Sequence, residues 1–556
     1  MNKFKSLIYL VLSTLIISLL PTTSFAEKSS RTSIYDYEQI NKVFDVAYGA
    51  KDDQLGFTPN GTEGEIGTGV VSFYVQNNNV YFLDNVNKKV SVFDESGSFI
   101  SSYDLSYARW LSDLIVLDNQ TIYVLDSAKR FVYEINKDGE KVNSYDVPKE
   151  ITIPTGLGKT INNKITVDQS QDIIVELKSG NKLGKSNLPN VEEKINENKG
   201  KITFNNGETI GDFTVNFEES YGGLTVNSIM PNRIIYTKTE VASHIPKIMA
   251  ETHVYVANKK GETIGAVRIP LEEMYFAPRH LVRVDNNKIY LISPKENHLT
   301  LYELKPGKTF EKRLDDRINN FTKDMSNKVS SSKVSSTQTE TNNDVSTQSN
   351  TGENGYLHRS DAGSRANSMI NETWTVSSSN KSQASGTVLP DYVSNASSGS
   401  TLESIPYKWG GGDAHDIGAG SRNSFNYYQQ NGYQTGDVDT NGYGVSSVTG
   451  LDCSGFVALA WYRSDKKYST SSLYEITHNI TKSDLKYMDA LNDSGFHTLL
   501  YVNSGSNGIY TKEATTDGNQ SAQDYSRTWY WLETSNDFIP VRYDRIADDG
   551  DPLPIY

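Results

Sequence analysis

The 556-residue chain has a single cysteine, Cys453, so it cannot form an internal disulfide. A lone cysteine is most often a small buried hydrophobic side chain, and the alternative is a reactive nucleophile. Positive charge is also scarce, because 54 Lys and Arg against 68 Asp and Glu give a net charge of −14. This balance argues against binding to nucleic acid and against simple charge attraction to an anionic bacterial wall.

Long hydrophobic runs are absent after the N-terminus. Residues 1–26 carry Lys3 and Lys5, then an apolar stretch over 7–20, then small residues at the cleavage positions. This pattern is typical of a secretory signal peptide, and an uncleaved anchor is the alternative. No second segment approaches the roughly 20 apolar residues that span a bilayer. We therefore expect a secreted chain, extracellular or associated with the cell wall, with no membrane span.

Large apolar side chains are nearly absent from residues 322–354, where Ser, Thr, Asn, Gln and Lys predominate. Such a composition cannot bury enough surface to fold and indicates a disordered linker. The chain is also too long for one ordinary core. We therefore predict a domain over 27–312, a linker over 313–365 and a second domain over 366–556, which begins with a helix near 366–372.

The N-terminal domain contains a repeated pattern of short strands. VYFLD at 80–84 with a turn glycine at Gly97 recurs as IYVLD at 122–126 with Gly139, an offset of 42 residues. Weaker copies follow at 254–257 and 289–292. A strand repeat of roughly 40 to 50 residues with a turn glycine predicts an all-β propeller of about six blades. Because the repeat fades between 148 and 223, a pair of irregular β-sandwiches is the alternative.

The propeller pattern has no catalytic spacing. We interpret this domain as a recognition or scaffold module whose ligand the sequence does not identify.

Two glycine-rich motifs characterise the C-terminal domain. Residues 407–411 read YKWGG, and residues 452–456 read DCSGF directly before an apolar run that predicts a helix. A thiolate in the first turn of a helix is stabilised by exposed N–H groups and the helix dipole. In this order the motifs resemble those of the NlpC-type cell-wall cysteine peptidases. The resemblance covers residues 407–556 and implies an α+β papain-like domain, so the expected fold is multidomain: propeller, disordered linker and papain-like domain.

The resemblance implies a histidine base on the strand after the cysteine helix and a polar partner on the next strand. His497 begins an apolar strand, whereas His478 lies in a polar, Thr-rich stretch and is interpreted as a surface residue. A five-residue hairpin loop would place His497 opposite Glu513 on one face. A slip of one residue would separate them, and Asn503 and Asp517 are the alternatives for the third position.

The implied chemistry is acyl transfer by a Cys453–His497–Glu513 triad, as in a thiol protease. His497 would keep Cys453 as thiolate or take its proton, and Glu513 would hold the imidazole. The backbone N–H of Cys453 would stabilise the oxyanion, and water would hydrolyse the thioester. This scheme uses no metal and no cofactor.

The resemblance also implies the substrate, an amide bond in a peptidoglycan stem peptide, such as the bond between D-glutamate and the diamino acid. The residues implied to bind it are Tyr407, Asp452 and Ser454. Trp409 is interpreted as core packing. Two alternatives stay open: a propeller binding protein with an inactive or regulatory C-terminal domain, and a cysteine amidase that acts on a non-wall peptide.

Residues 413–450, between the two motifs, depart from the family pattern. We expect this insert to border the substrate groove. Its segment 437–442 (DVDTNG) begins like a calcium loop, but Val448 stands where the twelfth-position acid belongs, so a solvated turn is favoured. His415 would replace His497 as the base only if the chain folded unlike the family.

Overall fold

The computed structural model describes residues 32–59, 67–205, 207, 210–331, 355–439, 444–534 and 537–553. The predicted signal peptide lies outside the described residues, as do 332–354 of the predicted linker and 440–442 of the calcium-like segment. Within the described ranges, no helix is long and apolar enough to cross a membrane.

The N-terminal domain begins with β1 (Tyr35–Tyr37) and β2 (Gln39–Ala47) and continues as groups of consecutive antiparallel strands. The first two groups have four strands each: β3 (Val70–Gln76), β4 (Asn79–Asp84), β5 (Lys89–Asp94) and β6 (Phe99–Asp104), then β7 (Leu111–Val116), β8 (Ile122–Asp126), β9 (Phe131–Ile135) and β10 (Lys141–Asp146). The next two have three strands each: β11 (Gly156–Lys159), β12 (Ile165–Gln169) and β13 (Ile173–Glu176), then β14 (Asn190–Asn196), β15 (Lys199–Asn205) and β16 (Ile210–Asn216).

The last two groups contribute β17 (Ser220–Ile229), β18 (Arg233–Val241), β19 (Ala250–Asn258) and β20 (Thr263–Ile269), then β21 (Val282–Asp285), β22 (Lys288–Pro294) and β23 (His298–Lys305), followed by β24 (Gly307–Thr309). Short 3₁₀ turns at Lys185–Asn187 and Leu271–Glu273 interrupt the loops. Each group forms one sheet, which makes six sheets in the described part of this domain.

The innermost strands of neighbouring sheets pack in a ring. Five neighbouring pairs of these strands pack on each other: β3 on β7, β7 on β11, β14 on β17, β17 on β21, and β21 on β3. The sheets that contain β11 and β14 follow each other along the chain and complete the order. Six small antiparallel sheets arranged around a ring form a six-bladed β-propeller. The predicted propeller is therefore confirmed, and the alternative of two β-sandwiches is wrong.

The sequence repeat corresponds to equivalent strands of the first two blades. The two VYFLD-like segments lie in β4 and β8, whose side chains are almost all buried because each blade is covered by a neighbour on both faces. Gly97 and Gly139 occupy the β5–β6 and β9–β10 turns with φ of 86° and 87°, a conformation that favours glycine. The repeat fades in the two three-stranded blades.

The first and last strands of the propeller pair with each other and close the ring. Strand β2 pairs with β23 as the outer strand of the sixth blade, with Val46 opposite Leu299. Strands β1 and β24 join the edge of the fifth blade. The first strands are therefore held by hydrogen bonds to the last ones, which closes the domain without a disulfide.

The folded part of the chain extends into the predicted linker from both sides. Helix α1 (Leu314–Ser331) starts directly after the propeller, and Leu314 and Ile318 pack against Ile245 and Met249. The linker predicted over 313–365 is therefore shorter, because two apolar residues one helical turn apart dock this polar helix. The helix predicted near 366–372 instead spans 359–370.

The C-terminal domain combines short helices with one large sheet. Its elements are β25 (Leu357–His358), α2 (Arg359–Ile370), β26 (Thr373–Thr375), α3 (Asp391–Ser394), β27 (Thr401–Glu403), α4 (Phe425–Gln430), β28 (Gln434–Thr435), β29 (Val448–Thr449), α5 (Cys453–Ala460), β30 (Thr477–Asn479), β31 (Ala490–Asp493), β32 (His497–Gly505), β33 (Gly508–Ala514), β34 (Ala522–Arg527), α6 (Trp529–Thr534), β35 (Ile539–Tyr543) and β36 (Ile546–Ala547). Two 3₁₀ turns, Ser472–Glu475 and Lys482–Asp484, lie between α5 and β31.

The large sheet has the order β30-β35-β31-β32-β33-β34 and separates two apolar cores. Leu500 and Ala514 belong to the core that contains α5, which packs against β32 and β33. Leu499 and Ile509, on the other face, share a second core with propeller residues such as Ile269. The propeller and the C-terminal domain therefore share this second apolar core.

Candidate active site

The two glycine-rich motifs hydrogen-bond directly to each other. The backbone N–H of Lys408 donates to the carbonyl of Leu451 at 2.9 Å, and that of Asp452 donates to the carbonyl of Gly411 at 3.1 Å. A Cβ on Gly455 would meet the Gly411 carbonyl oxygen, so this close backbone approach requires glycine. The YKWGG segment therefore fixes the chain at the point where α5 begins.

Cys453 is the first residue of α5 and is fully buried. Asp452 caps the helix, because its carboxylate accepts a hydrogen bond from the Gly455 N–H at 2.6 Å. Asp452 also pairs with Lys467 at 2.9 Å. The N-terminal turn is therefore held by an anionic cap, and the N–H of Cys453 lies in the turn where helix N–H groups have no partner within the helix.

His497 and Glu513 form a buried pair. His497 Nε2 lies 2.8 Å from Glu513 Oε2, and neither side chain has any exposed surface. The opposite ring atom, Nδ1, has no hydrogen-bond partner among the described residues. Because an ionised Glu513 can only accept, Nε2 carries a proton, and in the neutral tautomer of this ring Nδ1 is the proton acceptor.

Two hydrogen bonds link the start of α5 to the turn that precedes His497. The start of α5 reaches the segment before β31 through Ser454 Oγ, 3.0 Å from the carbonyl of Tyr468. That segment meets the β31–β32 turn through Thr470, whose hydroxyl accepts the Gly495 N–H at 2.9 Å. No hydrogen bond joins His497 Nδ1 to the thiol, and catalytic hydrogen bonds of unliganded enzymes often form only on substrate binding.

The strand register differs from the predicted one. The β32–β33 turn contains two residues, because Gly505 pairs with Gly508, and a β-bulge lies between Tyr501 and Asn503. Beyond the bulge Leu500 is opposite Lys512. Glu513 is therefore displaced two residues from the position directly across from His497, yet both side chains stay on one face.

Sequence reasoning missed Arg527, which holds Glu513 in place. Arg527 donates to both oxygens of Glu513, with Nη2 at 2.8 Å and Nε at 3.2 Å, and to Asp517 at 2.6 Å. Thr511 Oγ1 donates to Glu513 at 2.7 Å. A buried carboxylate needs such a partner. In the sequence, the only signal for this partner was the presence of an arginine farther along the chain.

The charges of this network are mutually stabilised. Burial alone would raise the pKa of Glu513, but Arg527 and then His497 lower that pKa to about 2. Burial raises the pKa of Asp517 despite the neighbouring Arg527. Glu513 is therefore an ionised positioning group for His497 and is not itself a base near neutral pH.

Tyr407, Trp409 and Ser454 have mainly interior environments. Tyr407 is fully buried within the domain core, and Trp409 is partly buried against that core, as expected for core packing. Ser454 is also fully buried, and its hydroxyl accepts from Lys467 Nζ at 3.0 Å. Burial of the neighbouring Lys408 lowers its pKa to about 8.

The alternative site residues lie elsewhere. His478 is exposed and bonds Asp544 at 2.8 Å, and His415 lies 3.4 Å from Asp416. Asn503 is exposed beyond the bulge, and Asp517 binds Arg527 rather than the histidine. These placements leave Glu513 as the partner of His497.

The insert over 413–450 is folded onto the domain. Asp413 forms two 2.6 Å contacts with Arg422, and Phe425 of α4 enters the core. In the calcium-like segment, Asp437 accepts the backbone N–H groups of Val388 and Asp439. Across the described ranges no group of three or more His, Cys, Asp or Glu side chains could hold a metal ion.

No family model and no curated protein matches the sequence. Among the solved structures that match is a member of the DUF4221 family from Bacteroides vulgatus, at 11% identity over 49% of this chain and 99% of that chain, with a TM-score of 0.32. Virginiamycin B lyase from Staphylococcus aureus matches at 12% identity over 48% and 99%, TM-score 0.30. The WD40 propeller domain of Doa1 matches at 8% over 45% and 97%, TM-score 0.26. At these TM-scores the similarities carry no argument about this chain.

Proposed function

We propose that the chain is a secreted cysteine hydrolase that cleaves amide bonds in peptidoglycan stem peptides. Its C-terminal domain would belong to the papain-like, NlpC-type peptidases. The observation that carries the proposal is the buried His497–Glu513 pair, and the position of Cys453 as the first residue of α5 supports it. The helix packed on an antiparallel sheet and the direct bonding between the two motifs also support it.

The proposed mechanism follows from the tautomer of His497. Its Nδ1 accepts the proton of Cys453, and the sulfur attacks the amide carbon of the substrate. The N–H of Cys453 stabilises the oxyanion, and protonated His497 gives its proton to the leaving amine. Water then attacks the thioester with His497 as the base, which restores the thiol. Glu513 stays ionised and holds the ring throughout.

Substrate access requires a conformational change. Cys453 and His497 are both fully buried, so the amide carbon cannot reach the sulfur in the state described here. Tyr407 and Asp452 are proposed to contact the peptide, as the family resemblance implies. The propeller would recognise or position the substrate.

The proposal is tested with the full mature chain and soluble peptidoglycan fragments. Mass spectrometry should detect new stem-peptide products with the parent chain and none with Cys453→Ala or His497→Gln. The exposed His478→Gln is the matched control and should retain full activity. Products made equally by Cys453→Ala, or none from any chain that folds normally, would refute the proposal. Products from an unrelated peptide but not from wall fragments would favour an amidase with a non-wall substrate.

One observation favours a second function, a propeller binding protein with an inactive C-terminal domain. The thiol is buried, and no hydrogen bond connects it to His497 Nδ1. In that case Cys453 is a core residue, and Cys453→Ala leaves every measurable activity unchanged.

A further inference from the structure

A cavity lies between the propeller and the C-terminal domain. Its volume is about 570 Å³, within the roughly 300–1,000 Å³ of small-molecule sites. One wall consists of the starts of inner propeller strands, including Val71 and Leu111, together with the loop that precedes β21. The other wall consists of β27, α3 and the segment from Asp517 to Trp531. Cys453 and His497 are not part of the wall.

Three arginines line this cavity without a carboxylate partner among the described residues. Arg130 donates only to backbone carbonyls, which include that of Ile151 at 2.6 Å. Arg279 donates to Ser526 and Ser170 at 3.1 to 3.5 Å. Arg109 has a buried Nε with no hydrogen-bond partner. Because a guanidinium stays protonated, all three are positively charged, and none forms an ion pair with a carboxylate in the part of the chain that the structure describes.

The acidic residues of the wall do not compensate these arginines. Asp517 is paired with Arg527, and Asp524 is exposed and paired with Lys512. Glu403 is exposed. Uncompensated positive charge in a partly buried cavity attracts an anion, because the low dielectric strengthens the interaction.

Aromatic and aliphatic side chains form another part of the wall, beside serine and threonine side chains. Trp110 and Phe276 contribute from the propeller, and Ile370, Tyr392 and Trp531 contribute from the C-terminal domain. Apolar surface with a few convergent polar groups is typical of a site for an organic ligand.

We propose that this interdomain cavity binds a small organic anion, whose carboxylate or phosphate groups are held by Arg109, Arg130 and Arg279 and whose apolar body packs on the aromatic wall. The site is formed by both domains and is independent of the proposed peptidase activity. Arg527 belongs to the wall and also holds Glu513, so the ligand would lie beside the support of His497.

Isothermal titration calorimetry on the full mature chain tests the site. The probes are phosphate, pyrophosphate, citrate and benzene-1,3-dicarboxylate, with the uncharged benzene-1,3-dicarboxamide as the matched control. We expect at least one anion to bind with a Kd below about 1 mM and the diamide not to bind. A tryptophan fluorescence change should accompany binding, because Trp110 and Trp531 line the cavity.

The arginine variants decide where the anion binds. Arg109→Gln and Arg279→Gln should each weaken binding about tenfold, a loss of about 1.4 kcal/mol. Arg313→Gln, an exposed variant outside the cavity, should bind like the parent, and thermal unfolding checks that each variant folds. No binding of any of the four anions by the parent, or equal binding by the parent and both cavity variants, would overturn the proposal.

Discussion

His497 and Glu513 lie on the same face of the large sheet because of a β-bulge near Val502. The two-residue turn that pairs Gly505 with Gly508 would otherwise carry Leu500 to the position across from Glu513. His497 would then point to the opposite face. The bulge shifts the register by one residue, and Nε2 comes to 2.8 Å from Oε2.

The first prediction concerns the charge of Glu513. In Glu513→Gln the amide can donate to His497 Nε2, which moves the ring proton to Nδ1 and prevents it from accepting the thiol proton. We expect amide hydrolysis to fall by about 100-fold or more. The variant also removes one of the two carboxylate partners of the buried Arg527 and leaves only Asp517, so its free energy of unfolding should fall by up to about 3 kcal/mol. Urea unfolding and a product assay measure both effects.

The control for this variant is the exposed Glu95→Gln, which removes a surface pair with Lys288. Both stability and activity should stay close to the parent values. An active Glu513→Gln protein would show that Glu513 does not position His497.

The second prediction concerns acid stability. Burial would raise the pKa of Glu513, but Arg527 and His497 lower it to about 2 from an ordinary value of 4.5. The stability from this shift is therefore fully present above pH 4.5 and is lost as the pH falls towards 2. Without Arg527 the burial of Glu513 raises its pKa, so Arg527→Gln should be less stable than the parent near pH 7 and should lose less stability as the pH falls from 4.5 towards 2, as measured by urea midpoints between about pH 2 and 7. Identical pH profiles would contradict the assignment.

The third prediction separates two roles of Asp452. Asp452→Asn keeps an oxygen that can accept the Gly455 N–H, whereas Asp452→Ala removes the helix cap and should cost about 1 kcal/mol in unfolding free energy. If Asp452 also binds the peptide, both variants raise KM. An unchanged KM in Asp452→Asn would limit Asp452 to the cap and to its pair with Lys467.

The fourth prediction concerns the shared core of the two domains. A C-terminal domain expressed from residue 355 exposes Leu499, Ile509 and Trp529, which pack with the propeller in the full chain. We expect this fragment to bind a hydrophobic dye and to aggregate. Addition of a separate propeller fragment that ends after α1 should suppress both effects. A monomeric fragment with no dye binding would contradict the shared core.

The propeller could be predicted from the sequence because β4 and β8 have similar sequences, are both buried, and are both followed by the same turn glycine. The sequence was insufficient for helix α1, since only a few apolar residues such as Leu314 and Ile318 dock it. The pairing of His497 with Glu513 was predicted through an incorrect loop, because a turn and a bulge shift the register by amounts that keep both side chains on one face. Arg527 could not be assigned, because its contact with Glu513 depends on the fold of a third strand.

The most direct test of the central claim is the rate at which iodoacetamide alkylates the thiol at pH 6, followed by intact mass. Cys453 is the only cysteine, so the mass change reports on one atom. The alkylation rate of the parent is compared with that of a His497→Gln variant that folds normally. We predict alkylation at least about tenfold faster in the parent, because His497 increases the thiolate fraction. Equal rates, or reaction only after unfolding, would show that Cys453 is a structural core residue.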